Sequence, residues 1–335
     1  MSLQIGPYQF KHNLVLAPMA GITDAVYRQL CRDKGADYTL AEMVASKKQL
    51  WDSKKSSTRH ASLTDPEPRA VQLIGTDATE LAEAAAWQVS QGAQIIDLNM
   101  GCPAKKVCNV AAGSALMAMP DKVEEIFQTV VAAVNVPVTV KIRTGSDDST
   151  KNALQIALLA EQCGLQAVTI HGRTRAAKFS GEAEYQTIKE VKQALSIPVI
   201  ANGDICTPEQ ADFVLEYTLA DGIMLGRATQ GYPWIFREIN HYLNSGNHLE
   251  KPSLEEFAAT VKQHISGLHR LYGEDLGLKI ARKHLGWYAQ HLPDGKQLRR
   301  QFNQLQQADL QLDIVYDFFA ELGYSKIGIA QQKQK

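Results

Sequence analysis

Short β-rich apolar runs recur along this chain every few tens of residues, and nearly every one ends in polar or glycine-containing residues. The eight runs cover residues 14–19, 38–43, 70–74, 94–99, 136–143, 167–171, 198–202 and 222–226. Runs of this length, apolar throughout, read as strands buried on both faces of a parallel sheet. Helical patterns fill most of the gaps. Residues 78–89 are alanine-rich around Leu81 and Trp87, and residues 123–134 space Val123, Ile126, Phe127, Val130 and Val131 at helical intervals. Thr207-Pro208-Glu209-Gln210 reads as an N-cap, an N1 proline and a capping-box glutamine. Eight such units predict an α/β fold, a (β/α)8 TIM barrel. A doubly wound open sheet is the alternative. It usually has fewer strands, and this chain has no GxGxxG after its first strand.

The alternation stops near Asn244-Ser245-Gly246-Asn247. Beyond it a capping box at Ser253–Glu256 precedes the helical stripe Leu254, Phe257, Val261, Ile265 and Leu268. Later helical patterns carry Leu298, Phe302 and Leu305, then Val315, Phe318, Phe319 and Leu322. The expected organisation is a catalytic barrel over residues 1–243 and a C-terminal all-helical domain over 244–335, with a frayed polar tail from Gln331.

A net charge of −1 announces no global field for nucleic acid, although local patches count for more than the total. Between Lys279 and Arg300, six basic residues (Lys279, Arg282, Lys283, Lys296, Arg299, Arg300) face a single acid, Asp294. Such a face suits phosphate contacts, or is simply solvated. The cysteines, Cys31, Cys102, Cys108, Cys163 and Cys206, are odd in number and contain no CxxC pair. That pattern argues against a disulfide framework and against a zinc site, and fits a reducing compartment. With no apolar signal core in residues 1–11 and no apolar run of spanning length, the expectation is a soluble cytoplasmic protein with no membrane partner and no metal.

In a barrel of this kind, chemistry sits at the C-terminal ends of the strands. Those ends carry Pro18, Met19 and Ala20; Gln72; Asn99 and Cys102; Lys141 and Arg143; His171 and Arg173; Asn202, Gly203 and Asp204; and Gly226 and Arg227. The last two groups follow strands seven and eight, where such barrels hold a phosphate on backbone N–H groups, and Arg227 adds a planar cation. Lys141 within an apolar strand needs a partner, either a buried ion pair or negative charge on a ligand. Gln72 and Asn99 each offer a donor and an acceptor to a heterocycle edge. His171 suits a phosphate, and Arg143 and Arg173 an anionic substrate or a salt bridge. Cys102, between Gly101 and Pro103, is a candidate proton donor, nucleophile or metal ligand.

These motifs together resemble the tRNA-dihydrouridine synthases, and most resemble their bacterial B-type branch. They are APMAGITD (17–24), QLIG (72–75), DLNMGCPAKKV (97–107), GSAL (113–116), VKIRTG (140–145), TIHGRTR (169–175), IPVIANGDI (197–205), GRATQGYPWIF (226–236) and ARKH (281–284). They run in order along nearly the whole chain. One departure lies at Cys108-Asn109-Val110, where relatives often carry basic residues.

The resemblance implies an FMN-bearing barrel, NADPH (or NADH) as reductant, tRNA as substrate and a helical tRNA-binding domain; a monomer is the expected state. It implies reduction of the C5=C6 bond of a D-loop uridine, by analogy position 17, with hydride from flavin N5 to C6. Carried over by motif, FMN meets Pro18, Met19, Ala20, Gln72, Lys141, His171, Asn202, Gly203, Asp204, Gly226 and Arg227. The uridine meets Asn99, Arg143 and Arg173, with Cys102 opposite the flavin giving a proton to C5. Arg282 and Lys283 would touch the tRNA backbone. Two other readings fit the barrel: a small-molecule flavin reductase of the dihydroorotate or dihydropyrimidine dehydrogenase type, which leaves the basic helices without a role, and a flavin-free RNA-binding protein.

Overall fold

The computed structural model describes residues 3–332 apart from 52, 54–55 and 109–111. Asn109, Val110 and the end of the polar tail therefore lie outside the described residues. The chain forms two compact units, Met1–Ala228 with Ile235–Asn247, and Thr229–Trp234 with His248–Lys335.

The first unit opens with an antiparallel hairpin, β1 (Gln4–Ile5) and β2 (Tyr8–Gln9). The parallel sheet follows as β3 (Leu14–Leu16), β4 (Tyr38–Thr39), β5 (Val44–Ala45), β6 (Ala70–Ile74), β7 (Ile95–Met100), β8 (Val138–Arg143), β9 (Val168–His171), β10 (Val199–Asn202) and β11 (Gly222–Leu225). Its spatial order is β4-β3-β11-β10-β9-β8-β7-β6-β5. The second expected strand is thus two pieces: β4 pairs with β3 and β5 pairs with β6. Between them, Leu40 bridges Ala70 and closes the ring. A single segment that serves both neighbours at the seam explains why nine pieces make a (β/α)8 barrel. The first strand ends earlier than expected, at Leu16, because Pro18 has no N–H for the ladder.

Helices α1 (Ala25–Asp33), α2 (Ala78–Ser90), α3 (Lys105–Cys108), α4 (Pro120–Ala133), α5 (Ala153–Gln162), α6 (Gln186–Ala194), α7 (Pro208–Thr218) and α8 (Ile235–Ser245) belong to this unit. Their starts follow local chemistry. Asp24 accepts from Tyr27 N at 2.9 Å, Asp77 from Glu80 N at 2.9 Å, and Thr207 from Gln210 N at 3.2 Å. Pro120 and Pro208 open α4 and α7, where a missing N–H costs nothing.

Alternate residues of each strand point into the barrel. At the N-terminal end these are apolar: Val15, Tyr38, Ala70, Ile95, Ala167, Ile200 and Met224. The hairpin segment adds Leu3, Ile5 and Phe10 to the same cluster and plugs that end. Moving toward the C-terminal ends, the interior turns polar, with Gln72, Asp97, Thr139, Thr169 and Asn202 all buried. The site therefore sits on a sealed apolar floor.

The second unit contains α9 (Leu254–Tyr288), α10 (Gly295–Gln304) and α11 (Ala308–Gln332). Ser253 caps α9 by accepting from Glu256 N at 3.1 Å. Gly273, at φ 72° and ψ 178°, splits α9 into two helical segments. The expected stripe packs here, with Phe257, Val261, Ile265, Leu268, Leu298, Phe302, Val315 and Phe319 in one core. Among the described residues, no helix is long and apolar enough to cross a membrane.

Candidate active site

The register of three adjacent strands lays a polar chain across the barrel. Gln72 on β6, Asp97 on β7 and Thr139 on β8 are register partners. The buried Asp97 carboxylate accepts from Thr139 Oγ1 at 2.6 Å and from Gln72 Nε2 at 2.7 Å. Gln72 then turns its Oε1 to Asn99, whose Nδ2 donates at 2.7 Å. Asn99 in turn presents Oδ1 to the backbone N–H groups of Gly101 and Cys102, at 3.2 and 3.0 Å. Burial pushes the Asp97 carboxyl up to about 6, against the pull of Thr139, Gln72 and the Lys141 cation.

Cys102 stands just beyond the end of β7, half-buried. Its carbonyl accepts from Ser114 Oγ at 2.8 Å and Ser114 N at 3.1 Å, while Cys108 Sγ lies 3.5 Å away. Gly113 makes that approach possible: at φ 60°, a Cβ there would lie 2.8 Å from Cys102 O. Burial raises the thiol pKa, and Cys108 adds to the rise, outweighing the Ala104 amide and Arg143. Cys102 therefore keeps its proton at neutral pH, which removes it from the ready nucleophiles. Among the described residues, no group of His, Cys, Asp and Glu is placed to hold a metal ion.

Arg143, 1% exposed, ends β8 with its guanidinium committed to carbonyls: Nε to Gly101 O at 2.7 Å, and one terminal nitrogen to Thr174 O and Lys178 O, both at 2.8 Å. It thus fixes the loop that carries Cys102. Its positive charge faces the ring of Phe179, 5.5 Å away, and the Arg227 guanidinium lies 5.5 Å from the same ring.

The strands from β8 to β11 form a cationic wall. Lys141 Nζ donates to Asn202 Oδ1 at 2.8 Å, and Asn202 Nδ2 donates to Met224 O at 2.7 Å. Burial lowers the lysine to about 7, helped by Arg143 and opposed by Asp97. His171 falls to about 2 through burial and the nearby charges of Lys141, Arg143, Arg173 and Arg227, so its ring is neutral. After β10 the backbone turns sharply. Gly203 has φ 130°, and a Cβ there would sit 2.7 Å from Ala183 Cβ and 3.1 Å from His171 Cδ2. Asp204 follows at φ 48°. Arg173 holds its carboxylate at 2.9 and 2.6 Å, Ala183 N donates at 2.8 Å, and Arg227 reaches it at 3.2 Å. Partial burial would raise this carboxyl, but these donors hold it below its usual range. Arg173 also donates to Ser180 O and Gly181 O, at 3.2 and 2.6 Å.

Where β11 ends beside β3, a Cβ on Gly226 would sit 3.8 Å from both Ala17 Cβ and Met19 Sδ. Pro18 and Met19 are half-buried there and Ala20 is exposed. Gly21 N donates to Glu42 Oε2 at 2.6 Å, and Arg59 pairs with Glu42 at 2.5 Å, pinning this turn to the seam.

The barrel thus brings together the rim residues expected from sequence. Arg282 and Lys283 belong to the helical unit. Arg282 donates to Leu305 O at 2.9 Å, whereas Lys283 is exposed, its Nζ 5.7 Å from the Trp287 ring centre. Sequence reasoning missed Asp97, Thr139 and Phe179, and placed Glu42 at a strand end without giving it a role. Strand parity would have found the first: Asp97 is two residues before Asn99 and shares its face.

A family model described as dihydrouridine synthase (Dus) matches residues 15–322. A Pseudomonas putida protein named tRNA-dihydrouridine synthase B is 54% identical over 320 residues, covering 96% of this chain and 95% of its own length. Proteins of the same name match from Pseudomonas aeruginosa, 54% identical over 98% of this chain and 99% of theirs, and from Salmonella typhimurium, 52% identical over 95% and 99%.

Proposed function

Since the chain belongs to the dihydrouridine synthase family, we propose that it reduces the C5=C6 bond of a D-loop uridine in tRNA, at position 17, to 5,6-dihydrouridine. The observation that carries the chemistry is Cys102: a half-buried thiol that keeps its proton, on a loop locked by Asn99, Ser114 and Arg143.

The donor set around the barrel rim fits FMN. Gly203 leaves backbone close to any group in the turn after β10, where a Cβ would strike Ala183, and Arg227 brings a 57%-exposed guanidinium to the same turn. In this reading the phosphate lies against Gly203, Asp204, Gly226 and Arg227. Pro18, Met19, Ala20, Gln72, Lys141, His171 and Asn202 hold the ring. Bound FMN, reduced by NADPH, supplies the hydride that adds to uridine C6.

The chain's own residues do the rest. Lys141 takes up positive charge readily where negative charge develops, because its pKa already lies near neutrality. The neutral His171 ring offers one donor and one acceptor rather than a further cation. Asn99, Arg143 and Arg173 line the space taken by the base. Cys102 gives its proton to C5 as hydride arrives at C6, so the bond gains both hydrogens. A stacked base cannot reach a barrel cavity, so the uridine is turned outward. The helical unit, with Arg282 and Lys283, holds the tRNA backbone. The protein acts as a cytoplasmic monomer.

Mapping dihydrouridine in tRNA from cells lacking this protein tests the reading. The modification at position 17 is expected to vanish, to return with the wild-type chain, and to stay absent with Cys102→Ala. That variant is expected to keep its flavin absorbance and its NADPH oxidation. Unchanged dihydrouridine in the deletion overturns the assignment.

A further inference from the structure

Asp97 hydrogen-bonds Gln72 and Thr139 rather than the thiol loop or Lys141, yet every amide orientation between Thr139 and Cys102 follows from it. A carboxylate only accepts, so Gln72 must turn its NH2 toward Asp97. That leaves Gln72 Oε1 as the atom facing Asn99, which must answer with Nδ2. Asn99 Oδ1 is then the atom that faces the N–H groups of Gly101 and Cys102. Reversing any amide would set donor against donor at the cysteine loop.

We propose that Asp97 is a positioning residue for Cys102, fixing the thiol's loop through Gln72 and Asn99. The inference rests on the proposed reading only in making Cys102 the proton donor. Thr139 completes the device by filling the second carboxylate oxygen, so that Asp97 stays aimed at Gln72. Four side chains on three adjacent strands thus deliver one backbone contact at the residue that does the chemistry.

The test follows alkylation of single cysteines by iodoacetamide in the full-length protein with its flavin bound, read by peptide mass spectrometry. Cys31, fully buried in α1, reports general loosening, and the exposed Cys206 normalises reagent. In Asp97→Leu, the loop loses its anchor and Cys102 labelling is expected to rise about fivefold or more, with Cys31 still protected. Dihydrouridine formation is expected to fall about tenfold or more. Asp97→Asn is expected to stay within about twofold of wild type, because the Thr139 hydroxyl can accept as well as donate and leaves an oxygen facing Gln72. Wild-type labelling of Cys102 in Asp97→Leu, or labelling of Cys31 rising in step with it, overturns the proposal. Should Asp97→Leu fail to fold, Gln72→Met cuts the next link, and unchanged Cys102 labelling there overturns it equally. Failure of the wild-type chain to make dihydrouridine would sink the functional reading and leave the labelling result standing.

Discussion

Arg173 holds Asp204 with both of its terminal nitrogens, at 2.9 and 2.6 Å, and so locks the left-handed residue that follows Gly203. The arginine is 3% exposed and the carboxylate 31%, so the guanidinium is buried while its partner keeps some contact with solvent. Arg173→Lys keeps the charge but loses the fork. The variant is expected to lose about 2–3 kcal/mol of stability, less than a buried pair broken outright, because the charge is kept and Asp204 is partly solvated. FMN affinity should fall about tenfold in a fluorescence titration, as the turn loosens. Wild-type melting and wild-type affinity together would remove the pair from the cradle.

Gly203→Ala attacks the same turn from the backbone. The new Cβ meets Ala183 Cβ at 2.7 Å, and φ 130° is strained for any L side chain. A cost of about 2–3 kcal/mol is expected, together with loss of retained flavin on purification. A yellow, fully stable Gly203→Ala protein would show that backbone does not approach a ligand there.

The helical unit should be sensitive to acid. His264 and His284 pack edge to face, with ring centres 4.6 Å apart, and His264 Nδ1 lies 3.0 Å from Tyr288 Oη. Burial lowers His264 to about 3 and holds His284 well below its ordinary value. Both therefore fold as neutral rings but bind protons once unfolded. Stability is fully present above the unfolded pKa of about 6.5 and is lost as pH falls below it, by about 1.4 kcal/mol per histidine per pH unit. Melting temperatures between pH 7 and pH 5 should show the fall, and His284→Phe should roughly halve its slope. An identical slope in the variant would place the acid sensitivity elsewhere.

Arg282 and Lys283 should separate under salt. Lys283→Ala is expected to weaken tRNA binding and to reduce the slope of log K against log salt by about one. Arg282→Ala also releases the Leu305 carbonyl, so it should lower both binding and stability. A tRNA affinity in Lys283→Ala with wild-type salt dependence would take that residue off the interface.

Most rim residues were legible because the barrel strands end near where their apolar runs end, so Asn99, His171 and Asn202 announce themselves by position and Lys141 as a charge inside its strand. Three features were not. Asp97 sits inside the run that defines its strand, and composition alone makes it look like an interruption of core. The division of the second strand into β4 and β5 depends on which neighbour each half pairs with, a long-range fact that no local pattern carries. The commitment of Arg143 and Arg173 to carbonyls and to Asp204 arises from the loop of residues 174–184, whose path no periodicity encodes.

Gln72, Asp97 and Thr139 are partners in the ladder itself, and this bears on how the barrel assembles. The Val, Ile and Leu residues of these parallel strands fix register only weakly, because one such side chain packs much like another. A slip of β7 by one residue would put Ile96 or Leu98 opposite Gln72 and strand the Asp97 carboxylate without donors, at a cost of several kcal/mol. The polar belt that would orient a catalytic thiol is therefore also a proofreading device for strand pairing. Mispaired barrels are penalised at the level where the native one is most polar.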